Sequence, residues 1–263
     1  YHYFYSKFLL KSCSMTDTIL NHRSIRKYKE DPIPNVILDY ILEAGTRAST
    51  TGNMQVYSIV VTTETTLKEK LAPCHFNQPM VKQAPVVLTF CADFNRFNKW
   101  CRLRKAEPGY DNFLSFVTAA IDALLVAQNV CIAAEDAGLG ICYLGTTTYL
   151  AGKIIDVLEL PKGVVPVITV TLGYHDEEHE LNDRLPLEEV IHRETYTDYT
   201  EEDIENHYKN KELIPTYQDF VKENNVESLA HVFTDVRYKK EDNVLFSKKL
   251  IDILEQQEFM NNR

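Results

Sequence analysis

The sequence has little that marks a scaffold held by crosslinks or metals. Its six cysteines, at positions 13, 74, 91, 101, 131 and 142, form no CxxC pair, and their number and pattern in a chain of this length argue against a disulfide framework. Several lie in apolar runs such as Val130-Cys131-Ile132. That is the setting of free, buried thiols in a reducing compartment, and the expected location is the cytoplasm. Cationic charge is short as well: 28 Lys and Arg against 38 Asp and Glu leave a formal net charge of −10. This balance argues against a nucleic-acid partner, which is held by neutralising phosphates. A basic pocket for one phosphate remains compatible, because a total does not reveal a pocket. Long apolar runs are missing too. The longest, Ile121 to Ala134, is interrupted by Asp122, Gln128 and Asn129 and reads as a buried helix, not a membrane span. Phe8-Leu9-Leu10 is too short for a signal-peptide core, Met15 reads as the natural start, and residues 1–14 read as an extension.

Several catalytic signatures are also missing. No serine sits in a GxSxG elbow. In Gly138-Leu139-Gly140-Ile141-Cys142-Tyr143-Leu144-Gly145 the third glycine follows the second by five residues, not three, and the segment follows a helical pattern. Both features fail the dinucleotide fingerprint and leave a helix stop before a strand. His175 and His179 stand four apart among carboxylates, but the pattern is not HExxH. A solvated acidic loop is expected there, with no metal.

What is present is an alternation of helix and strand. Residues 16–28 read as a short helix and a basic turn; Asp31 to Asn35 breaks the chain before a helix carrying Val36, Ile37, Tyr40, Ile41 and Ala44. Residues 57–62 are rich in β-branched side chains, and Pro85 to Ala92 is a continuous apolar run, so both read as strands. Asn112 to Ala137 is the longest helical pattern, apolar on most of its circumference, and needs cover from a core or a partner chain. Strands at 141–144 and 165–172 flank a helix at 150–158, and a polar tail follows from 197 with helical periodicity over 243–259. The pattern indicates an α/β or α+β domain.

Three segments carry candidate chemistry. His22-Arg23-Ser24-Ile25-Arg26 sets two guanidiniums and a hydroxyl within five residues, suited to phosphate, although taken alone the segment reads first as a solvated basic helix end. Thr50 to Gln55 offers hydroxyls and amides, which can both donate to and accept from a heterocycle edge, although Gly52-Asn53 is also an ordinary turn. Arg184, before Leu185-Pro186, is a third basic candidate.

Taken together and in order, these segments resemble the nitroreductase family, near its oxygen-insensitive, NADPH-preferring nitroreductases and flavin reductases. HRSIR is similar to the family's HRSxR signature. Residues 48–55 are similar to its Ser-rich loop ending in Gln, FCADFNR (90–96) is a characteristic string, 138–145 is similar to its LG-x-YIG turn, and Asp183 to Pro186 is similar to its KPRLP segment. The resemblance implies an α+β flavoprotein fold, a central mainly antiparallel sheet flanked by helices, in a homodimer. It implies a flavin-binding body over 15–196 with a C-terminal helical excursion over 197–263. The cofactor would be FMN and the cosubstrate NAD(P)H, with hydride passed in ping-pong fashion to nitroaromatics, quinones or flavins. The alternative is a flavin-binding or regulatory protein without turnover.

Carried over by position, His22, Arg23 and Ser24 would line the phosphate and ribityl end of FMN, with Arg184 completing the phosphate clamp. Arg26 would lie near the pyrimidine edge, where a positive charge tunes the cofactor's potential. Ser49, Thr50 and Gln55 would bond the ring's polar edge, Gln78 matches a family ligand position in a similarly spaced Gln-x-x-Val, and Tyr143, Leu144, Gly145 and Thr146 would pass along the ring, giving backbone amides and apolar contact. No side chain is needed as nucleophile, acid or base. Asn182 stands where the family's KPR motif has lysine, which removes one phosphate charge. For the selection of NADPH, Arg237, Lys239 and Lys240 are the basic candidates.

Overall fold

The computed structural model describes residues 14–178 and 180–261. The proposed N-terminal extension, apart from Ser14, lies outside the described residues, and so does His179. The chain forms two units, one running to Glu180 and resuming at Phe246, the other Leu181–Leu245.

The first unit opens with α1 (Met15–Leu20), started by a capping box in which Ser14 and Asp17 exchange side-chain and main-chain hydrogen bonds. From His22 to Tyr28 the chain is not a turn at a helix end, as the sequence suggested. It is extended and bridged to its neighbours, Ser24 to Ile141 in parallel and Tyr28 to His175 in antiparallel fashion. Helix α2 (Asn35–Gly45) follows, then β1 (Tyr57–Thr62), α3 (Thr65–Leu71), α4 (Pro79–Gln83), β2 (Val86–Asp93) and α5 (Asn95–Leu103). The long helix α6 (Phe113–Asp136) leads to β3 (Gly140–Leu144), α7 (Ala151–Leu158) and β4 (Val164–Gly173).

The four strands form one antiparallel sheet in the order β1-β2-β4-β3. Strand β2 is central and buried along its whole length, which is why its sequence lacks the polar alternation of a half-exposed strand. The β2–β4 register shifts between Phe90 and Cys91, where Cys91 faces Pro166. Proline has no N–H to give the ladder, so the bulge falls where a hydrogen bond is already lost. One sheet face, with Leu88, Phe90 and Ile141, packs with Ala123, Val126, Ala127 and Val130 of α6; the other, with Val87, Cys142 and Leu144, packs with Leu71, Val81 and Ile154.

Helix α6 is held at both ends by local chemistry. The Asn112 side chain caps its start by accepting from Ser115 N–H at 3.0 Å. At its end Gly138 takes φ 81°, while Leu139 N–H bonds to the Ala134 carbonyl and Gly138 N–H to that of Glu135, the paired pattern that closes a helix with a left-handed glycine. By length and composition α6 could cross a membrane, but its alanine-rich side is buried in the core against the sheet and α2. Within the single chain it is not covered all round. Phe113, Leu114, Ile121, Leu124 and Leu125 form an exposed apolar row, with Leu114 at 73% and Ile121 at 50% exposure.

In the second unit α8 (Glu201–Glu212) starts with a Thr200–Asp203 capping box, and α9 (Pro215–Glu223) starts on proline. Helix α10 (Leu229–His231) runs into a wider turn at Val232–Arg237, and α11 (Lys240–Gln256) returns the chain to the first unit. The Asp183 carboxylate accepts from Lys211 Nζ at 2.6 Å and from the Tyr217 hydroxyl.

The α2–α6 crossing rests on Gly45, where a Cβ would meet Val130 Cγ2 at 2.3 Å. Gly45→Ala is therefore expected to destabilise the protein by about 1–3 kcal/mol through overpacking, against a gain of up to ~1 kcal/mol from helix propensity alone. A urea midpoint that stays put or rises would show that the helices can part without loss.

Candidate functional site

Two groups of the expected residues gather in different parts of the first unit. The first is at the β3 edge. Ile25 N–H donates to the Ile141 carbonyl at 2.8 Å, which lays His22 to Arg26 alongside the strand that runs into Gly145 and Thr146. This approach needs Gly140: a Cβ there would meet the Ile25 side chain at 2.8 Å. Two segments 115 residues apart in the chain are thereby brought together. Neighbouring acids hold the basic segment. His22 Nδ1 lies 2.7 Å from a Glu135 carboxylate oxygen, and the Glu177 carboxylate accepts from the main-chain N–H of Arg26 at 2.6 Å and of Lys27 at 3.0 Å.

Arg23 is the informative member. Its Nε is buried and has no hydrogen-bond partner among the described residues. A buried guanidinium N–H without an acceptor is costly, and an anionic group beside it would remove that cost. Along β3, Tyr143 faces α6 and its hydroxyl donates to Gln128 Oε1 at 3.3 Å; burial raises its pKa, so the phenol stays neutral. Leu144 is 1% exposed. Its side chain is packed in the core, which leaves its main chain as the part that can meet a ligand. Gly145 is exposed and has open space around it. Thr146 is half-buried, and its hydroxyl lies 2.9 Å from Nδ1 of the fully buried His75. Gln78 is fixed nearby in the chain, with its N–H donated to the His75 carbonyl at 3.1 Å.

The second group, Ser49, Thr50 and Gln55, sits in the loop between α2 and β1. This loop is conformationally costly: Gly52, Asn53 and Gln55 all have positive φ, at 55°, 55° and 54°. Non-glycine residues stay in that region only where their surroundings enforce it. Two clasps do so. Asp122, 1% exposed in the middle of α6, accepts from Thr51 N–H at 2.9 Å and from its hydroxyl at 3.3 Å. From the other side, Arg96 Nη2 donates to the carbonyls of Gln55 and Tyr57, while Asp93 accepts from Arg96 N–H at 3.3 Å and from the Ser58 hydroxyl. The FCADFNR string is thus a brace for this loop.

The two groups occupy diagonal corners of the sheet. Tyr57, beside the loop, is in register with Ala92, which faces Val165, whereas Ser24 pairs with Ile141, which faces Leu172. Strand spacing and rise put these corners on the order of 25 Å apart. Arg184 belongs to the second unit, where its Nη1 donates to the Asp183 carbonyl at 2.8 Å. In the same unit Arg237 lies over the Phe220 ring, 4.3 Å from its centroid. The buried thiols of Cys91 and Cys131 are pushed up to about 12 by burial, so neither supplies a thiolate nucleophile.

Comparison with known proteins decides what this arrangement belongs to. The profile described as "Nitroreductase family" matches residues 19–174. The chain belongs to the nitroreductase family. Among its relatives, a protein of Bacillus subtilis (strain 168) named FMN reductase (NADPH) is 34% identical over 188 residues, covering 71% of this chain and 76% of that protein. A solved oxidoreductase structure from Bacteroides fragilis is similar at TM-score 0.92 and 56% identity, covering 93% of this chain and all of the other. The NfrA1 nitroreductase of B. subtilis is similar at TM-score 0.83 and 28% identity, over 95% of this chain and all of that one. The expected family and the antiparallel α+β fold are therefore both found.

Sequence reasoning named the ligand-facing candidates but missed their supports: Glu135, Glu177, His75, Asp122 and the Asp93–Arg96 pair. One signal was available. An aspartate inside the apolar helical run 113–137 must have a partner once buried, and that partner is the loop. Arg96→Ala is expected to raise amide hydrogen exchange across residues 51–57 while the central strand β2 stays protected. Unchanged exchange in that loop would mean Asp122 holds it alone.

Proposed function

We propose that this chain is an FMN-dependent NAD(P)H oxidoreductase that reduces small acceptors (nitroaromatics, quinones or flavins) by ping-pong hydride transfer. The observation that carries the proposal is the buried Arg23 Nε, without a partner among the described residues, in a segment hydrogen-bonded to β3 at Ile141. The donor set fits a flavin mononucleotide: cationic and hydroxyl donors for phosphate at Arg23 and Ser24, and amide and hydroxyl groups for a heterocycle at Gln78 and Thr146. When bound, FMN supplies the chemistry, taking hydride from the nicotinamide and passing electrons to the acceptor. The residues of this chain bind and orient. Arg26 would place positive charge at the polar edge of the ring, favouring electron uptake. Membership of a family with an NADPH-dependent FMN reductase and a nitroreductase among its relatives supports the reading.

We further propose that the working unit is a homodimer in which the loop carrying Ser49, Thr50 and Gln55 serves the site on the other copy. Two features support this. The loop and the β3 edge stand at diagonal corners of one sheet, and the apolar row on α6, including Phe113, Leu114 and Ile121, is exposed in the single chain. A second copy related by two-fold symmetry would cover that row and bring the corners together. The free thiols at Cys74, Cys91, Cys101, Cys131 and Cys142 are consistent with a cytoplasmic setting.

An anaerobic visible spectrum tests the activity. The FMN band of the loaded protein is expected to bleach with NADPH or NADH and to return when a nitroaromatic is added; bound flavin that neither nucleotide reduces would leave a binding module. The shared site is tested by mixing two defective variants, Arg23→Ala and Gln55→Ala. Under random pairing, mixed dimers are expected to restore roughly a quarter of the intact sites. If every ligand came from one chain, mixing would restore nothing.

A further inference from the structure

The segment around His75 contains a feature that flavin binding by the residues above does not explain. His75 is fully buried, and its Nε2 has no hydrogen-bond partner among the described residues, whereas its Nδ1 lies 2.9 Å from the Thr146 hydroxyl. The chain after it takes two successive left-handed residues, Phe76 at φ 53° and Asn77 at φ 56°, before reaching Gln78. The turn is closed by Asn77 N–H to the Ala72 carbonyl at 2.8 Å and by Gln78 N–H to the His75 carbonyl at 3.1 Å. Backbone of this kind persists only where its surroundings fix it. Through its ring and its carbonyl, His75 joins Thr146, just after β3, to Gln78.

The ring's protonation follows from its surroundings. Burial holds the His75 pKa down at about 4, so the imidazole is neutral near pH 7 and carries one N–H. If that hydrogen were on Nε2, a buried N–H would be left without an acceptor. If it is on Nδ1, only an acceptor lone pair is left unmet. Orphaned buried donors are the rarer of the two, so Nδ1–H donates to the Thr146 oxygen. The hydrogen of the Thr146 hydroxyl is then not used by His75 and points away from it.

We propose that His75 is a positioning residue that fixes the Thr146 hydroxyl as a hydrogen-bond donor to the bound flavin and sets Gln78 beside it. This rests on the FMN reading above. The ligand it recognises is an acceptor atom of the flavin ring, and the donor it prepares adds to those supplied by Arg23 and Ser24 at the phosphate end.

The test uses the full-length protein with three variants: Thr146→Val, which removes the hydroxyl; His75→Phe, which keeps a ring without a donor; and His75→Asn, which keeps a side-chain N–H. FMN affinity is read by fluorescence quenching, and the midpoint potential of the bound flavin is measured alongside. Thr146→Val and His75→Phe are each expected to weaken binding about five- to tenfold, the worth of one hydrogen bond, and to shift the potential in the same direction. The double variant is expected to be no worse than either single one, because both remove the same contact. His75→Asn is expected to recover affinity to within about twofold. Should His75→Phe fail to fold, Thr146→Val and His75→Asn still decide, since one alters a half-exposed side chain and the other retains the donor. Wild-type protein that binds no FMN would overturn the functional reading and this proposal with it. Wild-type binding that Thr146→Val leaves unchanged in affinity and potential would overturn this proposal alone, and so would a His75→Asn variant that folds but loses as much affinity as Thr146→Val.

Discussion

The hydrogen bond from Ile25 N–H to the Ile141 carbonyl, 2.8 Å long, is the contact on which the candidate site depends. It ties a basic segment that would otherwise be a solvated helix end to the β3 edge through a single bridge. Its backbone direction then decides where Arg23, Ser24 and Arg26 stand relative to Tyr143 and Thr146. Gly140 makes the contact sterically allowed, because any Cβ would collide with Ile25. The acids at Glu135 and Glu177 hold the two ends of the segment through His22 and the Arg26 and Lys27 N–H groups. The basic residues are thereby kept on a fixed backbone, so their ordering cost is met on folding and not on ligand binding.

The rest of the sheet serves the same purpose by giving rigid supports to strained loops. Positive φ at Asn53 and Gln55, and again at Phe76 and Asn77, would relax in a free peptide. Each stretch is held by side chains of neighbouring elements: buried Asp122 and exposed Arg96 at the first, and a fully buried His75 at the second. Buried polar side chains of this sort contribute little net stability but specify one geometry, because breaking their partners leaves an unpaired group in a low-dielectric interior. A site whose chemistry comes from a bound cofactor needs just that, since the protein's share is position and charge.

Much of the fold could be read in the sequence because its signals are local. The apolar run 85–92 could only be a doubly covered strand, and it is the central one. The pattern 112–137, with Asn112 before it and Gly138 after it, marks a helix at nearly its observed bounds, Phe113–Asp136. Residues 22–28 were misread as a turn because their extended form comes from pairing with Ile141 and His175, and no local preference announces a bridge to a strand more than 100 residues away. The division of the chain at Leu181 and Leu245 was hidden for a related reason: the polar helical pattern runs on through α11 without a break.

By itself, then, the sequence determined the element types, the family and the residue types that meet a phosphate and a heterocycle, because periodicity, caps and short motifs are properties of neighbouring residues. The tertiary structure decided which of those residues share a corner of the sheet, that Leu144 is spent on the core, that His75 meets Thr146, and that Asp122 and Arg96 clasp the loop before β1. These depend on strand register and on burial, and both arise only when segments distant in the chain compete for the same interior.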